Sequence, residues 1–253
     1  MRAPVDRIVA PLFPTKGPWV NATGAQASIL QRGRPMLVEF WDFCRPNSLR
    51  TLPYVKAWHE RYAEDGLRVI GVHSPGFEPS REERAVRQAV GRLEIAHPVL
   101  IDADMQVWQD YGNEGWPARY LFDGHARLFD FHYGEGAYLE TELAIQELLG
   151  IEREPLQPLR PEDARGASLL PQTADQPGAY RGPYQAGGVW AVLDGAGEVR
   201  VNGGSEAGGR TFEVAHPGAY PLVEHQRHTS SQLELELGPG VSCLATCFTP
   251  GVR

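Results

Sequence analysis

Between residues 36 and 149, short apolar runs alternate with segments of helical spacing, and that order admits few folds. MLVEFW (36–41) is a strand-like run. Residues 47–64 place Leu52, Val55, Trp58, His59 and Tyr62 at helical spacing, and Gly66 stops the helix. LRVIGVH (67–73) is a second buried strand. Ser80 and Glu83 have the spacing of a capping box for a helix over 81–93, followed by HPVLI (97–101) as a strand and a short helix over 105–111. ARYLFD (118–123), the turn Gly124-His125 and RLFDFHY (127–133) form a hairpin, and a helix over 138–149 closes the unit. A mixed sheet with helices on both faces follows from this order, in a first domain of residues 1–150.

The pattern then changes. Residues 150–188 hold twelve Gly or Pro, too many for a regular element, so 151–188 is expected to be a linker or a surface strap. From 189 the segments 189–203, 210–215, 219–224, 231–238 and 241–248 are short alternating strands. Asp194-Gly195-Ala196-Gly197-Glu198 is a hairpin turn rather than a phosphate-binding loop. An all-β sandwich or jelly roll over 189–253 is the expectation.

A formal charge of −8 argues against a nucleic-acid partner. The opening MRAPVDRIVAPLFPTKGPWV has neither the apolar core of an export signal nor a spanning helix, so no membrane span and a cytoplasmic location are expected. Cys44, Cys243 and Cys247 are the three cysteines. Two of them, in VSCLATCF, fall on one face of a strand too far apart to bond and are expected to be packing residues. No P-loop, dinucleotide fingerprint or nucleophile elbow occurs, and no cofactor is expected. His225 and His228 beside Glu224 lack the further ligands of a metal site, so no metal is expected either.

FW-x(10)-LP, GVHSP, the Trp116-Pro117 pair before ARYLFD, and HYGEGAY together resemble the TlpA-like thiol-disulfide oxidoreductases, particularly the soluble C-terminal part of DipZ-type proteins. The resemblance implies a thioredoxin-like fold, a cis peptide at Pro117 facing the start of the 47–64 helix, and a carbohydrate-binding-module-like second domain. Members carry a C-x-x-C pair at that helix start. Counted without a gap from Trp41 to Pro53, its positions fall on Arg45 and Ser48, with Cys44 just before; shifted by one, they fall on Cys44 and Asn47. The second thiol is missing in either register.

Three functions remain open at this stage. The first is a redox-inactive protein that binds a polypeptide or a small thiol or disulfide partner in the old groove, lined by Trp41, Arg45, Asn47, Ser48, His73, Trp116 and Pro117. The second is a monothiol reductase or peroxidase using Cys44, although the peroxidase pattern P-x-x-x-T-x-x-C is absent. The third is carbohydrate binding by the β domain, with Tyr180, Tyr184 and Trp190 as stacking candidates. Glu135, in the Gly-Glu-Gly turn, either faces the groove or is a solvated turn carboxylate.

Overall fold

A computed structural model describes residues 8–30, 33–204 and 206–253. Residues 1–7, part of the stretch read above for an export signal, lie outside the described residues. The chain divides into two compact units, one of Met1–Phe43 with Asn47–Gln157, the other of Cys44–Pro46 with Pro158–Arg253. No helix among the described residues is long and apolar enough to cross a membrane.

The first unit runs β1 (Trp19–Val20), α1 (Gly24–Leu30), β2 (Met36–Trp41), α2 (Pro46–Tyr62), β3 (Arg68–His73), α3 (Glu83–Arg92), β4 (Val99–Ile101), α4 (Gln106–Asp110), β5 (Ala118–Phe122), β6 (Leu128–Tyr133) and α5 (Tyr138–Leu149). Its six-stranded sheet has the order β1-β4-β3-β2-β5-β6. The β2–β3 and β3–β4 pairs are parallel, and the β2–β5 and β5–β6 pairs antiparallel.

β2 is buried on both faces, which is why it reads as an unbroken apolar run. Met36, Val38 and Phe40 enter one core, with Ile70, Val72 and Tyr120. Leu37 enters the opposite core, against Val55, Trp58 and Tyr62 of α2 and Ile145 of α5. Fully burying each large apolar side chain contributes about 1.5–3 kcal/mol.

One expected cap is not made. Ser80 closes a 3-10 turn over Glu78–Arg81, its Oγ donating to the Phe77 carbonyl at 2.9 Å, and α3 starts later, at Glu83.

The second unit is all-β. It contains β7 (Leu169–Leu170), β8 (Gln176–Pro177), β9 (Arg181–Gly195), β10 (Gly197–Gly203), β11 (Glu206–Val214), β12 (Gly218–Leu237), β13 (Val241–Thr249) and β14 (Gly251–Val252). Six strands form an antiparallel sheet in the order β11-β10-β12-β9-β13-β8, and β14 pairs with β7.

Here the strand limits depart from the sequence reading. β9 begins at Arg181, inside the stretch expected to be linker, because Gly182, Pro183 and Gly187 sit in a long strand where Gly182 pairs with Leu233 and Gly187 is closely packed. The segments 219–224 and 231–238 are one strand, β12, interrupted by register shifts at Pro221/Val223 and Glu224/Thr229. A register shift at Cys243/Ala245 also turns Cys243, opposite Leu193, and Cys247, opposite Trp190, to different faces of the sheet. All three cysteines are free.

Candidate functional site

The carboxyl ends of the parallel strands β2 and β3 carry the segments that the sequence singled out. β2 ends at Trp41, and Asp42–Arg45 lead into α2, whose first residue, Pro46, needs no N–H partner. Arg45 is therefore the residue before the helix and Ser48 its third residue. The Asp42 N–H donates to Ser48 Oγ at 3.2 Å, so this hydroxyl pins the turn. Cys44 is fully buried.

The Asp42 carboxylate is buried as well. Its Oδ2 accepts the Gly76 N–H at 2.7 Å, and its Oδ1 lies 3.5 Å from His73 Nε2. The imidazole is held edge-on to Trp41, with ring centroids 4.9 Å apart, and is stacked on Phe43 at 5.2 Å.

Ser74 ties three segments together. Its N–H donates to the Trp41 carbonyl at 3.1 Å, its hydroxyl to Asp102 Oδ2 at 2.9 Å, and its carbonyl accepts the Trp116 indole N–H at 2.8 Å. Asp102 in turn accepts the N–H groups of Val107 and Trp108 at the start of α4. The Trp108 and Trp116 rings lie 4.2 Å apart.

The Trp116-Pro117 peptide is cis, as the resemblance implies. The Pro117 carbonyl accepts the N–H of Gly134 at 2.7 Å. Gly134 and Gly136 adopt φ of 83° and 84°, a region that glycine enters without steric cost, and this lets Gly134–Ala137 turn sharply between β6 and α5. Glu135 in that turn is not a solvated carboxylate. It pairs with Arg50 of α2 at 2.8 Å, while its carbonyl accepts from His132 Nε2 at 2.8 Å and Arg119 donates to the Gly136 carbonyl.

The candidate residues thus separate into two groups. Trp41, Cys44, Ser48, His73 and Pro117 are buried and form a rigid floor, whereas Arg45 and Trp116 are half-buried and Asn47 is exposed. Sequence reasoning passed over Asp42, Arg50, Ser74 and Asp102, polar residues whose partners are remote in sequence.

It also passed over Glu39 and Arg119, cross-strand neighbours on β2 and β5. Burial pushes the Glu39 carboxyl up from 4.5 to about 8 against the opposing pull of Arg119, and burial likewise lowers the Arg119 guanidinium. A lone acid inside MLVEFW was the available signal.

The candidates in the second unit are engaged in other ways. Tyr184 and Trp190 are buried, and the half-buried Tyr180 packs edge-on to Phe248 at 5.2 Å, so the three do not form an open stacking platform. His225 Nε2 bonds the Tyr184 hydroxyl at 2.9 Å, and His228 Nε2 donates to the Pro171 carbonyl at 2.9 Å. Burial raises both Cys243 and Cys247, the latter to about 12, so neither thiol is activated.

A mixed sheet with a helix launched from β2, facing a cis-proline segment ahead of β5, defines a thioredoxin-like unit. No family model matches the chain. Over 187 residues it is 31% identical to the protein DipZ of Mycobacterium tuberculosis, an overlap covering 70% of this chain and 27% of DipZ. It is 24% identical over 131 residues to the thiol-disulfide oxidoreductase YkuV of Bacillus subtilis, covering 52% of this chain and 87% of YkuV. The solution structure of a thioredoxin-like protein in the oxidised form superposes with a TM-score of 0.50 at 23% identity, over 58% of this chain and 99% of that one, and shows the shared fold. The chain is thus thioredoxin-like in fold and similar in sequence to thiol-disulfide oxidoreductases, and it spans about a quarter of the length of the DipZ proteins it matches.

Proposed function

We propose that this chain is a redox-inactive relative of these oxidoreductases that binds an extended polypeptide along the surface between the start of α2 and the cis-proline segment. The observation that carries this reading is the identity of the two positions at the helix start. Arg45 precedes the first helical residue and Ser48 follows at the third, the spacing of a C-x-x-C pair, and Ser48 Oγ is committed to the Asp42 N–H.

Dithiol exchange needs a second thiolate to attack the mixed disulfide and expel the reduced product. A serine hydroxyl cannot do this, and Cys44, one position earlier, is fully buried. What the surface offers a partner is a guanidinium, an amide and an indole, from Arg45, Asn47 and Trp116, on a backbone held by Ser74 and Asp102.

Insulin reduction driven by dithiothreitol tests the reading. Turnover is expected at the level of buffer alone, and Cys44→Ser is expected to leave it there. Turnover above that level that disappears in Cys44→Ser would establish the monothiol enzyme instead.

A further inference from the structure

We propose that the first unit carries a second site, an aromatic-walled cavity that binds a small quaternary ammonium cation. The cavity measures about 270 Å³ and lies on the face of β5 and β6 that meets the end of α4 and the segment around Ile8 to Pro11. That volume is below the range of drug-sized ligand pockets and suits a compact headgroup.

Period-two alternation explains why aromatic rings gather here. Tyr120 lies opposite Phe131 in the β5–β6 ladder, and Phe122 opposite Leu128 across a register shift that sends Phe129 to the other core. Tyr133 follows on the same face as Phe131, and Tyr111 closes the wall from the end of α4. The Tyr120 and Tyr133 rings stand nearly perpendicular with centroids 6.0 Å apart, as do Tyr111 and Phe122 at 6.1 Å, so the lining mixes ring edges and faces.

The hydroxyls already have protein partners. Tyr120 donates to Asn113 Oδ1 at 2.8 Å and lies 2.8 Å from the Tyr133 hydroxyl, and Tyr111 donates to the Pro11 carbonyl at 3.3 Å. Burial also raises the Tyr111 and Tyr120 phenols above their ordinary range, so they stay neutral. Among the described residues, the one charged side chain lining the cavity is the exposed carboxylate of Asp110.

A lining of aromatic rings with, among the described residues, a single carboxylate and no uncommitted tyrosine hydroxyl discriminates among ligands. Among the described lining residues, sugars and anions find neither a free side-chain donor nor positive charge. A quaternary ammonium needs no hydrogen bond, is attracted by ring quadrupoles and is neutralised at the rim.

Calorimetric titration of the full chain with choline tests this, with 3,3-dimethylbutan-1-ol as the neutral isostere in which carbon replaces nitrogen. Choline is expected to bind at least about 10-fold more tightly than the alcohol, and Asp110→Asn to weaken choline by a similar factor. Tyr133→Phe keeps the ring and is expected to bind as the parent does. Tyr133→Leu is expected to lose at least about 10-fold at an unchanged thermal midpoint. Equal affinity for the alcohol would make the cavity a plain apolar pocket and overturn the proposal, as would the absence of choline binding up to about 50 mM, far weaker than a millimolar site.

Discussion

Replacing Glu39 with glutamine is expected to abolish the loss of stability of the first unit between about pH 4.5 and pH 8. The carboxyl is fully buried and raised from 4.5 to about 8 by that burial. Below pH 4.5 both folded and unfolded chains hold the proton. Between the two values the unfolded chain releases it and the folded chain keeps it, so stability falls as pH rises, by a total on the order of 5 kcal/mol. His97 acts with the opposite sign. Burial lowers it to about 3, and it contributes stability that is lost as pH falls below 6.5. His59 and His132, also lowered by burial, add to this acid limb. Urea unfolding followed by tryptophan fluorescence suits the measurement, because five of the six tryptophans, all but Trp190, lie in the first unit. In Glu39→Gln the alkaline fall should vanish while the acid limb remains. An identical fall in the variant would assign the alkaline limb to another group.

The second large effect is a gain of chemistry. The double change Arg45→Cys and Ser48→Cys, made with Cys44→Ser to remove a competing thiol, is expected to create an interconverting dithiol. Position 45 precedes Pro46 and position 48 is the third residue of α2, so the two thiols would flank the first turn of the helix. The first would sit where the unpaired N–H groups and the macrodipole stabilise a thiolate, lowering its pKa from about 8.5 toward 7. A potential between about −120 and −270 mV is expected, together with insulin reduction above background. The measurement is alkylation and mass analysis across a series of glutathione buffers. If the folded variant keeps the thiols at positions 45 and 48 free under oxidising conditions, as those of Cys243 and Cys247 are, the gap-free register fails, and Asn47→Cys against the native Cys44 becomes the alignment to test.

How far the fold could be read from the sequence depended on whether burial left a periodic trace. β2 and β3 are buried on both faces, and α5 runs over the 138–149 expected from the sequence. β1, at Trp19–Val20, left no trace, since two residues pairing with Leu100 and Val99 carry no period. In the second unit, glycine and proline were read as breaks, whereas in β9 and β12 they occur within long strands at close approaches and register shifts. Pro221, for example, pairs with Trp190 next to a shift.

The site divides along similar lines. The Trp116-Pro117 and Gly134–Ala137 segments were visible as motifs. Ser74 and Asp102 were not, because their role lies in joining segments brought together only by folding. His73 and Trp41, expected to line a groove, are instead buried, His73 lying edge-on to Trp41 and stacked on Phe43.

The pairing of β14 with β7 bears on how the protein is synthesised. Gly251 and Val252 bond to Leu170 and Leu169, and Gly251 lies so close to His228 and Gly187 that a methyl group there would come within 2.7 Å and 2.8 Å of their Cα atoms. As the polypeptide emerges from the ribosome, every strand of the first sheet is available once Tyr133 has cleared the exit tunnel. The ribbon of the second unit waits for Gly251 and Val252, so Leu169 and Leu170 remain without their partner strand until those two residues appear.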